Sequence, residues 1–164
     1  MTELSEIAPA FVEMAHRIVW CTVGTTDTEG RPRTRILHPI WEWDGSSLRG
    51  WIATSPGSLK SKHLDGTPYL SLTYWDPSHD TASAECTATW ETSREERHEG
   101  WRRFAEGPAP VGYDPSIIPP WTSPDAEAFG ILRIEPYRLR VMPGSFMMRG
   151  EGQLLTWSAS DDVS

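Results

Sequence analysis

The chain has 164 residues, enough for one domain with a hydrophobic core and too few for two comfortable ones. Its formal net charge is −8 with no stripe of Lys and Arg to offset it, which argues against nucleic acid as the main partner. No apolar run approaches the length of a membrane span, and the acidic start Met1-Thr2-Glu3-Leu4-Ser5-Glu6 does not read as a secretory signal.

Leu4, Ile7, Phe11, Met14 and Ala15 recur at near-helical spacing, so residues 4–17 read as a helix, open to interruption before Pro9. Residues 18–23 are rich in β-branched and aromatic side chains and read as a strand. Asp27-Thr28-Glu29-Gly30 is a turn signal. Residues 33–41 are the return strand, with Arg33, Arg35, Leu37 and Pro39 on one face and Thr34, Ile36, His38 and Ile40 on the other. Asp44-Gly45 marks a tight hairpin, and 48–54 is a third strand. Ser55-Pro56 reads as an N-cap with proline at the first helical position, so a short helix is expected over 55–64.

Residues 69–75 are strongly strand-like, and 82–92 form the longest candidate strand, with Ala84, Cys86, Ala88 and Trp90 alternating against polar residues. Ser93 and Glu96 make a capping box for a helix that carries Trp101, Phe104 and Ala105 on one face. Residues 107–121 are a Gly- and Pro-rich loop, long enough to be functional or an interface cover. A short helix over 123–129 and a sixth strand over 131–141, broken at Pro136, complete the body; the tail can add a strand at 154–157. Six or seven strands joined by hairpins, with few and short helices, make a mainly β chain and an antiparallel barrel.

The chain has thirteen arginines and only two lysines, and both lysines fall in Pro56-Gly57-Ser58-Leu59-Lys60-Ser61-Lys62. Hydroxyls and ammonium groups at a helix N-terminus suit a phosphate monoester; the segment suits a solvated surface helix as well. Arg33 and Arg35 add two guanidinium groups on one strand face, and Arg reads phosphate oxygens bidentately. Cys21 and Cys86 are lone cysteines in apolar runs, read as buried thiols in a reducing, cytoplasmic setting. His16, His38, His63, His79 and His98 show no metal spacing, and no nucleophile elbow or P-loop is present, so no metal site and no catalytic side chain are assigned. Nine tryptophans fit core or interface positions, or the lining of a planar aromatic ligand.

Gly30-Arg31-Pro32-Arg33-Thr34-Arg35-Ile36-Leu37 resembles the second-strand motif G-x-P-x-x-R-I-L of the FMN-binding split-barrel superfamily, the pyridoxamine 5'-phosphate oxidase-like proteins. Thr54, Ser58 and Lys60, then Leu64 and the 68–75 stretch ending at Trp75, resemble that family's T-x-x-x-S-x-K…L…P-x-x-x-L-x-x-W pattern. The resemblance implies a split β-barrel homodimer with flavin between protomers, residues 1–142 as the flavin-binding domain and 143–164 as a tail. It implies an FMN site of Arg33, Arg35, Ile36, Leu37, Thr54, Ser55, Ser58, Lys60 and Trp75. In it Arg35 meets the phosphate, Thr54, Ser58 and Lys60 contact the phosphate or the ribityl chain, Ile36 and Leu37 lie beside the ring, and Lys62 is solvated or at the rim.

The sequence also departs from the oxidases proper. Ile40 stands in place of a substrate-binding lysine, Arg138-Leu139-Arg140-Val141 replaces R-L-H-x-R, and Tyr137 replaces a flavin-contacting tryptophan. The expected function is therefore a flavin-dependent oxidoreductase that transfers hydride to or from a small organic substrate other than pyridoxamine phosphate. The alternatives are a reductase of the same fold using the deazaflavin coenzyme F-420, and a non-catalytic flavin- or haem-binding stress protein.

Overall fold

The computed structural model describes residues 1–159. The elements run α1 (Leu4–Ile18), β1 (Cys21–Thr26), β2 (Pro32–Leu37), β3 (Ile40–Trp43), β4 (Leu48–Thr54), α2 (Leu59–Gly66), β5 (Tyr69–Trp75), β6 (Thr81–Glu91), α3 (Arg94–Ala105), a 3-10 turn at Pro115–Ile117, β7 (Gly130–Met142), α4 (Gly144–Arg149) and β8 (Leu155–Ser158).

All eight strands belong to one antiparallel sheet, in the order β2-β1-β5-β6-β7-β4-β3, with β8 added against β7. The two ends of this order, β2 and β3, are joined only by His38 and Pro39. Laid flat, six inter-strand spacings would separate them by roughly 29 Å. Three Cα steps from Leu37 to Ile40 reach at most roughly 11 Å. The sheet therefore rolls up until its edges meet, which gives a mainly β, antiparallel split barrel.

The single strand expected over 33–41 is two strands. β2 pairs with β1 and β3 pairs with β4, and the chain changes partner at Pro39, which has no N–H to donate. That break, together with β8 in the tail, raises the count to eight. β5 and β6 alternate as expected, burying Leu70, Leu72 and Tyr74, and Ala82, Ala84, Cys86 and Ala88. Pro136 sits where β6 and β7 shift register between Glu85 and Cys86, so β7 bulges there and continues.

The core has two compartments. α1 packs Ile7, Phe11 and Met14 into the barrel against Trp41, whose indole N–H donates to the Tyr74 hydroxyl at 2.9 Å. Outside the barrel, Phe104 of α3 meets Trp51, Phe129 and Ile131. β4 and β7 are thus buried on both faces, with Ile52 and Leu132 inward and Trp51 and Ile131 outward.

Local expectations needed correction at five places. Pro9 does not interrupt α1; it lies on the exposed face, where water can satisfy the carbonyl it leaves unbonded. α1 runs through Ile18, and Val19 turns out of it at φ 73, so β1 begins at Cys21 and leaves Trp20 59% exposed. Residues 123–129 form turns rather than a helix, and Ala105 is exposed. α4 was not expected. Among the described residues no helix is long and apolar enough to cross a membrane.

Candidate functional site

The β1–β2 hairpin sets the first wall of the site. Its turn is held by the Asp27 carboxylate, which accepts the backbone N–H groups of Glu29 at 3.0 Å and Arg31 at 2.9 Å, while Gly30 takes φ 78. These bonds, the Arg31 N–H foremost, hold Asp27 well below the usual carboxylate range. The register then places Arg33 opposite Thr25 and Arg35 opposite Val23, on the side of β2 that faces the barrel interior.

The second wall is α2. Its N-cap is Ser58, not Ser55, and Pro56 lies in the turn before it. Ser58 does not cap through its side chain; its hydroxyl accepts from the Lys60 ammonium at 2.8 Å. Between the walls lies an open groove of about 640 Å³, lined by Arg33, Arg35, Ser58, Lys60 and His63. His63 was not singled out by sequence. It sits buried on its own helix, with Nδ1 2.9 Å from the Thr25 hydroxyl, and only the closeness of α2 to β1 reveals it.

The cations of the groove differ in their commitments. Arg33 faces the Asp27 carboxylate at 3.4 Å, and Arg31 is held by Asp27 and Glu29. Arg35 spends one nitrogen, Nη1, on the carbonyls of Val23 and Arg33, each at 3.1 Å. Among the described residues no carboxylate lies within ion-pair distance of Arg35 or Lys60. Burial lowers the Arg35 pKa; burial and then the charge of Arg35 lower that of Lys60. Two partly desolvated positive charges side by side, with no anion supplied by the chain, favour an anionic ligand. Lys62 is exposed.

The other end of β2 borders a different space, an apolar hollow of about 390 Å³. Ile36, Leu37 and His38 line it with Ala53 of β4, Trp20, and Tyr113 and Trp121 of the long loop. That loop is tied down by the Tyr113 N–H donating to the Phe104 carbonyl at 2.9 Å, and by His38 Nε2 donating to the Val111 carbonyl at 2.6 Å. The length of the loop was the sequence signal for a role here; its aromatic contribution was not legible.

The residues taken as a site thus divide. Arg33, Arg35, Ser58 and Lys60 meet in the groove, and Ile36 and Leu37 meet in the hollow. Thr54 is buried at the end of β4, opposite Gly130, and Ser55 follows it in the turn. Trp75 lines neither space; it is 55% exposed at the end of β5, with its ring 5.8 Å from that of His79. Both cysteines are buried thiols, and burial pushes Cys21 up to about 12.

No curated protein matches the chain. Solved structures share the fold at low identity. One is a protein from Clostridium acetobutylicum related to general stress protein 26 of B. subtilis, of the pyridoxinephosphate oxidase family (14% identity, 95% of this chain and 94% of that one, TM-score 0.67). A second is a pyridoxamine 5'-phosphate oxidase-related, FMN-binding protein from Nostoc punctiforme (12% identity, 98% of each chain, TM-score 0.64). A third is a heme-binding protein from Mycobacterium smegmatis (14% identity, 96% of this chain and 59% of that one, TM-score 0.65). The family model described as pyridoxamine 5'-phosphate oxidase matches residues 7–142, most of the length. The chain belongs to the pyridoxamine 5'-phosphate oxidase family.

Proposed function

We propose that this protein is a cytoplasmic FMN-dependent oxidoreductase that works as a homodimer. The observation that carries the reading is the pair Arg35 and Lys60, partly buried, close enough to depress Lys60, and without a carboxylate partner. A phosphate monoester supplies the missing anion. Ser58 and Lys60 would hold it from α2, and the unused nitrogens of the Arg35 guanidinium from β2. The same strand then leads to Ile36 and Leu37, which offer apolar contact to a ring system at the edge of the hollow.

When bound, the flavin supplies the hydride chemistry itself, so the side chains need only bind, orient and exclude water. The homodimer is supported by the outer face of β2, β1 and β5. Thr34, Thr22, Ser71 and Thr73 stand there with Ile36, Tyr69 and Trp75, and none carries a charge. Charged residues are depleted, and Tyr and Trp enriched, at the centres of protein interfaces.

The test is spectroscopic. The purified protein is stripped, titrated with FMN, and the chromophore it carried on isolation is released and weighed. A flavin spectrum, the FMN mass and saturable FMN binding are expected. A deazaflavin mass would move the reading to coenzyme F-420, for which the same cations serve. A haem absorption band with no FMN binding overturns it.

A further inference from the structure

We propose that the apolar hollow at the end of β2 seats the molecule with which the cofactor reacts: an uncharged, flat, mostly apolar compound bearing one O–H or N–H group that it donates to Nδ1 of His38. The role as reacting partner rests on the flavin reading above; the ligand class rests on the hollow alone.

The lining excludes charge. Among the described residues, none that lines the hollow is Asp, Glu, Lys or Arg. An ionised group placed there would lose its hydration with nothing opposite to replace it. The aromatic lining suits a flat ring. The Trp20 ring stands edge-on to His38 with centroids 4.9 Å apart, and the Tyr113 ring lies 5.1 Å from it on another side. At about 390 Å³ the space is at the small end of ligand pockets and fits a molecule of two fused rings.

His38 provides the polar contact, and its tautomer is dictated by its partner. The Val111 carbonyl can only accept, so Nε2, 2.6 Å away, carries the proton. In the neutral ring Nδ1 then presents a lone pair, and it has no hydrogen-bond partner among the described residues. Burial lowers the His38 pKa and keeps the ring neutral. Its titratable neighbours do not supply a counter-charge: His16 is itself held neutral by burial, and the Tyr113 phenol is pushed up to about 12. A ligand that donates one hydrogen bond satisfies the remaining nitrogen. The Val111 bond meanwhile ties His38 to the loop that forms the far wall, so the acceptor is held in place before the ligand arrives.

Calorimetric titration of the FMN-loaded protein tests this with three probes of one size: 2-naphthol, 2-methylnaphthalene and 2-naphthoate. The expected order is 2-naphthol bound most tightly, 2-methylnaphthalene more weakly, and 2-naphthoate not measurably. His38→Phe keeps an aromatic ring but removes the acceptor. It should weaken 2-naphthol by about threefold to tenfold, the worth of one net hydrogen bond, and leave 2-methylnaphthalene within about twofold. Because that variant also loses the Val111 bond, Ile117→Glu is the companion. Ile117 is 66% exposed at the rim, so the fold tolerates the change, and a carboxylate there should weaken both neutral probes.

Equal binding of naphthoate and naphthol overturns the proposal, as does a His38→Phe protein with unchanged naphthol affinity. Naphthol that binds only the stripped protein and is displaced by FMN also overturns it, since the hollow is then the seat of the flavin ring. Naphthol binding with the expected His38 dependence to a protein that takes no FMN sinks the flavin reading and supports the ligand class.

Discussion

Arg35 and Lys60 can be removed one at a time, and each removal leaves the bound phosphate with one partly desolvated cation fewer to pair with. Losing one partner of a desolvated charge pair costs about 2–5 kcal/mol, or roughly 30-fold or more in affinity. Arg35→Ala and Lys60→Ala should each weaken FMN by that much while the fold survives, since neither side chain belongs to a core cluster. Lys62→Ala, at an exposed position two residues on, should leave the affinity within a few-fold. Titration of the stripped proteins decides it, and equal affinity across all four removes the phosphate cradle. The same residue-level view addresses pyridoxamine phosphate. Ile40 is 3% exposed and packed with Trp51 and Phe104, not set in the hollow. Arg138 and Arg140 lie on the outer face of β7, in a separate recess with Met1 and Trp157. Among the described residues no cation borders the hollow to receive a second phosphate, and each charge-assisted hydrogen bond forgone is worth about 1.5–3 kcal/mol. The FMN-loaded protein should therefore produce negligible pyridoxal phosphate under oxygen. Turnover like that of a dedicated oxidase would show that an arginine of a second protomer completes the site.

At the scale of elements, the contacts between helices and sheet carry two further expectations. His16 in the last turn of α1 accepts the Trp41 N–H of β3 on Nε2 at 2.9 Å, which only an unprotonated nitrogen can do. Burial first, and the nearby His38 second, lower its pKa below the ordinary 6.5. The unfolded chain then binds the proton first on acidification, so stability is full above about pH 6.5 and falls as the pH drops toward the folded-state value. His38 shifts in the same direction. Melting temperature should fall between pH 7 and 5, and His16→Gln, an uncharged acceptor, should flatten that slope; an unchanged slope contradicts the assignment. In α3, a β-carbon on Gly100 would come within 2.4 Å of Ile131 Cγ1. Alanine gains about 0.8–1.0 kcal/mol of helix propensity, but overpacking costs about 1–3 kcal/mol, so Gly100→Ala should lower the denaturation midpoint. A higher midpoint would mean that Ile131 has room to move.

The same elements show what the sequence could reveal. β5 begins and ends where alternation puts it, because one period and one buried face decide it; β4, buried on both faces, is bounded by the turn residues on either side. The capping box of α3 forms as written, with Ser93 and Glu96 exchanging bonds at 3.1 Å, because it is local. The start of α2 was misread because Ser55-Pro56 and Ser58 both satisfy the local rules for an N-cap, and only tertiary packing chooses between them. The groove was legible through its clustered lysines. The hollow was not, since Trp20, His38, and the loop residues Tyr113 and Trp121 come from three separate stretches and share no spacing.

For the molecule as a whole, rolling the sheet into a barrel gives every strand an inner face and an outer one, and the outer face is not uniform. Outside β4 and β7, α3 and the long loop cover Trp51 and Ile131. Outside β2, β1 and β5 no described residue covers the sheet, and Ile36, Tyr69 and Trp75 stand there 59%, 51% and 55% exposed. Between them run Thr22, Ser71 and Thr73, exposed, short and uncharged. A sheet face meant for water usually carries charges that prevent association, whereas a flat neutral one with aromatic residues suits a two-fold contact with itself. Light scattering at micromolar concentration should therefore return twice the chain mass. Thr73 is the sharper probe, because it is exposed near the middle of the face and pairs with Thr22 on β1 and Ser83 on β6. Thr73→Lys brings two like charges together in an isologous contact and costs the fold nothing inside the barrel. It should return the chain mass at the same concentration. If the flavin groove is completed by the second protomer, the same variant should also bind FMN more weakly, although position 73 lines neither the groove nor the hollow. A wild-type monomer that binds FMN with full affinity, or a Thr73→Lys protein that remains dimeric, would remove this face from the site.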